Sequence, residues 1–316
     1  VFVRGLLNNV SNSSKTFVYC DSATAASADC TFVAGGYGNT VSGAQGCLVS
    51  GYSNNCSGAR YSVVGGQDNI VSGYRDLVGG YGNTVRGECD LAAGQHNTVV
   101  GYDSAALGYD LTNTKNYCLM CGHEGSTASL GNVLFVVANS GIAFYIDDNG
   151  AAYAAGGYHA IGADYAEYFE WADGNPEGED RRGMLVSLDG GRIVPAHGDD
   201  ILGAVSVRPS VVGNAYEEHW HGKYRTDVFG GDVLDENGKR QMSDDFDESR
   251  EYIPRSQRPE WSAVGMVGRL IVTDDGRCAP GGNVSARHGI AVPTFSRTNV
   301  HCLRRVDDTH IEVLIK

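Results

Sequence analysis

Between residues 32 and 112, small apolar residues return at two fixed places in a unit of 14 or 15 residues. Counted from Gly36, Gly51, Gly66, Gly80, Gly94 and Gly108, the first place lies two residues earlier, at Ala34, Val49, Val64, Val78, Ala92 and Ala106. The second lies five residues later, at Val41, Cys56, Val71, Val85 and Val99. A further glycine marks mid-unit at Gly43, Gly58, Gly73, Gly87 and Gly101. Self-similarity at a fixed period predicts stacked coils, each covering its neighbour's apolar side. Every coil then carries two short strands around a slender interior, with the tyrosines facing water. Asn39, Asn54 or Asn55, Asn69, Asn83 and Asn97 are expected at the turns, where asparagine tolerates positive φ and hydrogen-bonds locally. Cys56 stands in a valine position and reads as a small core residue.

Either side of this block the rhythm changes. Residues 1–30 are rich in Ser, Asn and Thr and read as irregular β structure continuing from an upstream part. The chain opens at Val1 without an initiator methionine, so it is expected to be a piece of something longer. Two β-runs follow the repeats at 133–137 and 142–146, with a turn at 139–141 between them. Asp147-Asp148-Asn149-Gly150 is a strong turn signal, and small residues then lead to position 160. Beyond residue 171 the composition is that of an ordinary globular domain. Strands are expected at 184–188, 192–194, 201–207, 264–273 and 311–315, and no sustained helical period occurs. The charged run 232–260 reads as a long exposed loop, or an arm reaching a neighbouring subunit or the shaft. The expected domains are therefore 1–30, 31–122, 123–163 and 164–316, all of β class.

Composition narrows the function classes. Glycine makes up 44 of 316 residues without a Gly-X-Y triplet, and all seven prolines follow residue 171, which excludes collagen. The net charge of −14 argues against a nucleic-acid groove, which needs clustered Lys and Arg. No apolar run approaches the ~18 residues of a membrane span, and no secretory signal is visible. Nine scattered cysteines, an odd number, suggest free thiols in a reducing cytosol. Cys118-Leu119-Met120-Cys121 has ligand spacing with His123 nearby, but no second pair accompanies it, so neither metal nor cofactor is expected. His219-Trp220-His221 places two imidazoles on one strand face without a third ligand, which favours packing.

The chain changes character at residues 161–171, Ile-Gly-Ala-Asp-Tyr-Ala-Glu-Tyr-Phe-Glu-Trp. Acids recur every third residue (Asp164, Glu167, Glu170), and Tyr165, Tyr168 and Trp171 follow one place behind. Hydrolysing a peptide needs an activated water, a proton for the leaving amine and a polarised carbonyl. Two carboxylates with separated pKa values supply the first two. Spacing of i, i+3 puts Asp164 and Glu167 on one face of a helical turn but on opposite faces of a strand. The pair therefore acts together only if the segment turns, or if one residue serves a bond in an adjacent subunit. A plain docking strand is the competing reading.

The run Gly-Ala-Asp-Tyr-Ala-Glu-Tyr-Phe-Glu-Trp resembles the opening of the self-cleaving intramolecular chaperones that end phage neck appendages and tail spikes, classed among the glutamic peptidases. The resemblance covers residues 155–316. It implies a cut at Ala163–Asp164, with Asp164 and Glu167 essential. Glu167 would be the general base, its pKa raised by Tyr165, Tyr168, Phe169 and Trp171. Asp164 would orient the bond or protonate the leaving nitrogen, and Glu170, Tyr168 and Trp171 would support the site. Related motifs often carry serine before the aspartate, where this chain has Ala163. The repeats, over residues 32–112, resemble the head repeats of trimeric bacterial adhesins, a parallel β-roll built as a homotrimer. A coil with roughly seven residues per side is too thin to hide its own flanks, and three adjacent rods would cover them. Residues 131–158 resemble the knot-like β segment that joins phage fibre shafts to terminal chaperones.

Together these resemblances imply a phage or prophage tail fibre or appendage, assembled in the bacterial host cytoplasm and carried on the virion. Its C-terminal unit would drive homotrimerisation and then cut itself off as a single-turnover endopeptidase. Tyr37, Tyr52, Tyr74, Tyr81, Tyr102 and Tyr109 offer a surface for a host glycan or receptor. The alternative is a non-cleaving trimeric adhesin or receptor-binding fibre tip.

Overall fold

The computed structural model describes residues 1–215 and 222–316, so His219-Trp220-His221 lies outside the described residues. Among those described, regular structure is β throughout apart from one 3-10 turn at Arg255–Gln257. The chain divides into two units, Val1–Tyr158 and His159–Lys316.

The first unit is a parallel β-roll. Phe2, Phe17, Phe32, Leu48, Val63, Leu77, Leu91, Ala105, Leu119 and Phe135 stand in one register line across successive coils. From the second of these strands on, the next residue points inward: Val18, Val33, Val49, Val64, Val78, Ala92, Ala106, Met120 and Val136 are all buried. Val41, Cys56, Val71, Val85 and Val99 are likewise buried, as the repeat predicts. Burying a side chain of this size contributes about 1.5–3 kcal/mol per residue, so the two columns hold the roll closed.

Three expectations for this region are corrected. The roll begins at Phe2, not near residue 31: Phe2–Arg4 and Phe17–Asp21 pair in the same parallel line as the later coils. The likeness was hidden because Asn12 and Ser27 take positive φ at the mid-unit place that Gly43 and Gly58 hold in later coils. Likewise the roll continues past residue 122, since Leu119–Ser126 pairs in parallel with Val133–Asn139. In the first repeat the inward residue is Val33 rather than Ala34. One extra residue before Tyr37 makes a bulge that shifts the count by one.

The asparagines are not at the turns. Asn39, Asn54, Asn69, Asn83 and Asn97 are fully buried, and the left-handed corner falls on the residue before each: Gly38, Ser53, Asp68, Gly82 and His96. The reason is hydrogen bonding. The Asn69 carboxamide donates to the carbonyls of Gly65 and Gly80, each at 3.0 Å. Its Oδ1 accepts the backbone N–H and side-chain N–H of Asn83, both at 3.0 Å. A buried amide satisfied in this way escapes the penalty of an unmade hydrogen bond and ties neighbouring coils together.

A second polar column runs Cys47, Ser62, Asp76, Asp90, Ser104, Cys118, all buried. Oδ1 of Asp76 accepts the Asp90 N–H at 3.1 Å and Oδ1 of Asp90 accepts the Ser104 N–H at 3.0 Å, while both Oδ2 atoms have no partner. Room for the carboxyls comes from Gly73 and Gly87, where a Cβ would collide with them. Cys118 is thus a core residue, and Cys121 lies outside this column, half-exposed. The tyrosines do face water, but in two columns: Tyr37, Tyr52, Tyr81 and Tyr109 in one, Tyr74 and Tyr102 in another. The unit ends as an antiparallel meander of Val133–Asn139, Ile142–Asp147 and Ala152–Ala154, reversing at Ser140 and Gly141.

In the second unit the long strand Trp261–Thr273 is central. It pairs with Gly203–Val205, His310–Ile315 and Asp164–Glu170, all antiparallel. Asn283–Arg287, Ile290–Thr294 and Val300–Arg305 extend the sheet and were not expected. Leu185, Ala204, Leu270, Val272, Val284 and Val313 belong to the larger core. A smaller one gathers Val186, Ile193, Val205 and Val264 round Trp171. Residues 232–260 are mostly exposed and form short turns with an isolated bridge between Leu234 and Arg240, in line with the expected exposed loop.

Burial pushes Asp76 up to about 6 and Asp90 up to about 7, from an ordinary 3.8. Folded acids that keep their protons longer than unfolded ones stabilise most below pH ~4, and that contribution is lost as pH rises through 6 to 7. Between pH 5 and 8 the roll should lose on the order of a few kcal/mol from this pair. Replacing both by Asn should flatten the melting temperature against pH. An undiminished slope in the double variant would remove these two groups as its cause.

Candidate active site

Asp164 opens the strand Asp164–Glu170, held extended by antiparallel pairing with Trp261–Thr273 and parallel pairing with Val211–Gly213. Side chains alternate along it. Asp164 and Ala166 are buried, while Tyr165 and Glu167 are not. Of the two alternatives left open by the sequence, the segment does not turn: within one chain Asp164 and Glu167 point to opposite faces.

The Ala163–Asp164 peptide is fixed on both sides. Its carbonyl accepts the backbone N–H of Arg269 at 3.1 Å, and the next carbonyl, of Asp164, accepts that of Ser210 at 2.8 Å. A cleft of about 380 Å³ opens beside it, lined by Ile161, Ala163, Asp164, Ser206, Arg208 and Arg269 among others. The Asp164 side chain is only 6 % exposed, and its Oδ2 has no partner. That oxygen lies over Gly265, where a Cβ would come within 2.5 Å of it. Burial raises the Asp164 pKa, and a hydrogen bond with the Ser206 side chain partly offsets the rise. The result is a carboxyl that keeps its proton to higher pH than an exposed aspartate, on the residue whose own nitrogen belongs to the held peptide bond.

Glu167 occupies the other face. Its Oε1 accepts the Tyr165 hydroxyl at 2.5 Å, and that bond holds the phenol protonated to higher pH. Gly213 opens the space, since a Cβ there would meet the Tyr165 hydroxyl at 2.7 Å and the Glu167 Cγ at 2.8 Å. Glu170 is paired with Arg192 at 3.2 Å. The Tyr168 carbonyl accepts the Asn214 side-chain amide at 3.2 Å.

Trp171 does not shelter Glu167, as the sequence suggested, but is 1 % exposed in the smaller core. Its Nε1 donates to the Ser262 hydroxyl at 2.9 Å, and the Arg181 guanidinium stacks on the indole at 4.4 Å. Arg181 is itself held by Asp173 and Glu179 at 2.7 and 2.8 Å. The aromatic half of the motif thus anchors the strand, with Phe169 packed on the same core. Sequence reasoning missed Ser206, Gly265, Gly268 and the Arg269 backbone. The available signal was a pair of glycines inside an apolar strand, a mark of close backbone approach. Elsewhere among the described residues, Asp274, Asp275 and Cys278 converge, but Arg305 already pairs Asp274 at 3.0 Å.

A family model described as Peptidase_G2, IMC autoproteolytic cleavage domain, matches residues 108–304. A second, described as a grass antifreeze beta roll, matches residues 3–108. The pre-neck appendage protein of Bacillus phage B103 is 34 % identical over 138 residues, 41 % of this chain and 16 % of that protein. That of Bacillus phage phi29 is 38 % identical over 138 residues, with the same coverage. The chain thus spans about a sixth of the length of the curated relatives it matches. The crystal structure of the pre-mature bacteriophage phi29 gene product 12 shares the fold at a TM-score of 0.59 and 21 % identity, over 98 % of this chain and 40 % of that one.

Carboxyl-selective NMR of the intact chain should find Asp164 titrating above the ordinary 3.8. Ser206→Ala should move the midpoint further up, because it removes a hydrogen bond that favours the anion. A midpoint at or below the ordinary value would contradict the burial argument.

Proposed function

The chain belongs to the Peptidase_G2 family of IMC autoproteolytic cleavage domains, and from that membership we propose that it cuts its own backbone between Ala163 and Asp164. The observation that carries this reading is the Asp164 carboxyl, buried with one unpartnered oxygen beside the bond and with its pKa raised. Water attacks the Ala163 carbonyl carbon while a general base takes one of its protons. The protonated Asp164 carboxyl supplies a proton to the departing nitrogen. The C–N bond breaks, leaving an amine on Asp164 and a carboxyl on Ala163 that gives its remaining proton back to the ionised Asp164 side chain. The methyl of Ala163 contributes no hydroxyl, so the carboxyls carry the proton traffic.

The base in this reading is Glu167 of a neighbouring copy, which makes the peptidase one of glutamic type. Within a single chain Glu167 faces away from Asp164, so the site is completed only on assembly. A parallel homotrimer is supported by the outward register line on the roll, where Phe2 is 51 %, Phe32 41 %, Leu48 39 % and Leu77 53 % exposed. An uninterrupted apolar stripe of this kind marks an association surface.

In the whole protein, a phage tail fibre or appendage assembled in the host cytoplasm, the C-terminal unit would trimerise first and set the register of the rolls. Thin repeats slip easily, and linked copies raise one another's local concentration. Cutting afterwards removes the route back and leaves the shaft kinetically trapped. A host glycan or receptor would meet the two tyrosine columns. The competing reading, a fibre tip that never cleaves, predicts a single full-length mass under denaturing conditions.

Cleavage should give fragments of 163 and 153 residues, the second beginning at Asp164. Glu167→Gln should slow it by roughly 10²–10⁴-fold while leaving assembly intact. Co-assembled with an Asp164→Asn chain, the Glu167→Gln chain should be cut again, because its partner supplies the base. Absence of rescue in mixed assemblies would exclude a base acting between subunits. Separately, light scattering should report three copies of 33.5 kDa, and Leu77→Glu should shift the population toward monomer without loss of β signal. An unchanged mass for that variant would exclude the stripe as the interface.

A further inference from the structure

We propose that the peptide N–H of Arg269 is the oxyanion donor for the cut, and that Gly268 is the positioning residue that brings it there. This rests on the reading of Ala163–Asp164 as the scissile bond. Attack at the Ala163 carbonyl puts negative charge on its oxygen, and the transition state needs a donor already aimed at it. Among the described residues one donor reaches that oxygen, the Arg269 N–H at 3.1 Å.

Its carrier is rigid. Arg269 sits in the central strand Trp261–Thr273, where it faces Leu314 of His310–Ile315 across the sheet. Between Arg269 and the rest of the pairing with the motif strand stands Gly268, which faces Asp164. Gly268 has φ of +118°, and it is the only residue of Trp261–Thr273 in that region. A Cβ there would collide with the Ala163 oxygen and lie 2.8 Å from the Asp164 Cα. Any side chain would therefore push the carbonyl off its donor, besides straining the backbone. One residue further back the partner strand bulges, between Val267 and Gly265, and Gly265 leaves the niche for the Asp164 carboxyl. A single kinked segment, Gly265-Met266-Val267-Gly268-Arg269, thus fits both the oxygen and the proton donor. The cleft lined by Ala163 and Asp164 is large enough to admit water beside the bond.

The test replaces the Arg269 amide by an ester, using the α-hydroxy analogue of arginine in the full chain. That change deletes the N–H and keeps the side chain. The matched control is the same replacement at Thr273, whose N–H donates to the Gly183 carbonyl at 3.0 Å, away from the cut. The rate at which the fragment beginning at Asp164 appears should fall about 10²–10³-fold for the Arg269 ester. Assembly should be unchanged, and the Thr273 ester should cleave at close to the normal rate. Gly268→Ala should slow cleavage in the same direction. Equal slowing by the two esters would reduce the Arg269 bond to a structural one and overturn the assignment. If the unmodified chain cuts at Ala163–Asp164 and the Arg269 ester cuts just as fast, this inference fails while the function stands. If the unmodified chain does not cut there, both fail.

Discussion

The interior of the roll is so narrow that each coil has room for only a few small side chains, and every other feature of the first unit follows from that. Valine and alanine, with one cysteine, fill the two apolar columns through most of the roll, and Met120 enters near its end. Polar groups that enter must be satisfied by the coil above or below, as no water can reach them. Asparagine meets the demand completely and so repeats through five coils. Aspartate meets it only in part, which explains both the unpartnered Oδ2 atoms and the upward push on their proton affinity.

The sequence made the repeat, its inward valines and its outward tyrosines legible, because period and residue size are both visible in one dimension. The role of the asparagines was not legible. A residue common in turns was found next to a turn, and only coordinates show that the corner falls one place earlier. The two N-terminal coils were missed for a related reason. Asn12 and Ser27 take the left-handed conformation at the mid-unit place that Gly43 and Gly58 mark in later coils, so the punctuation disappears while the register persists.

At the motif, the acids were visible but their directions were not. Spacing of three residues fits a helical turn, and pairing on both edges overrides it. Trp171, chosen as a neighbour of Glu167, is instead a core anchor beneath Arg181. What the motif needs around Asp164 comes from about a hundred residues downstream, in the backbone of a central strand. Long-range backbone chemistry of this kind leaves almost no trace in composition. The two glycines of Val-Gly-Met-Val-Gly-Arg were its only written sign.

The asparagine column also has a mechanical side. The Asn54 amide bonds its own coil at Ser50, the preceding one at Asn39 and the following one at Gly66, at 2.9, 3.1 and 2.9 Å. Tension applied along the axis of such a stack would load these side-chain bonds together with the backbone ladder. The column is interrupted at Ala23, beyond which only Asn8 repeats its bonds, and it ends at Leu111, so the coils there are held by fewer side-chain bonds. Under pull the roll would therefore yield from those two rungs outward, leaving the five asparagine coils between them as the last to part.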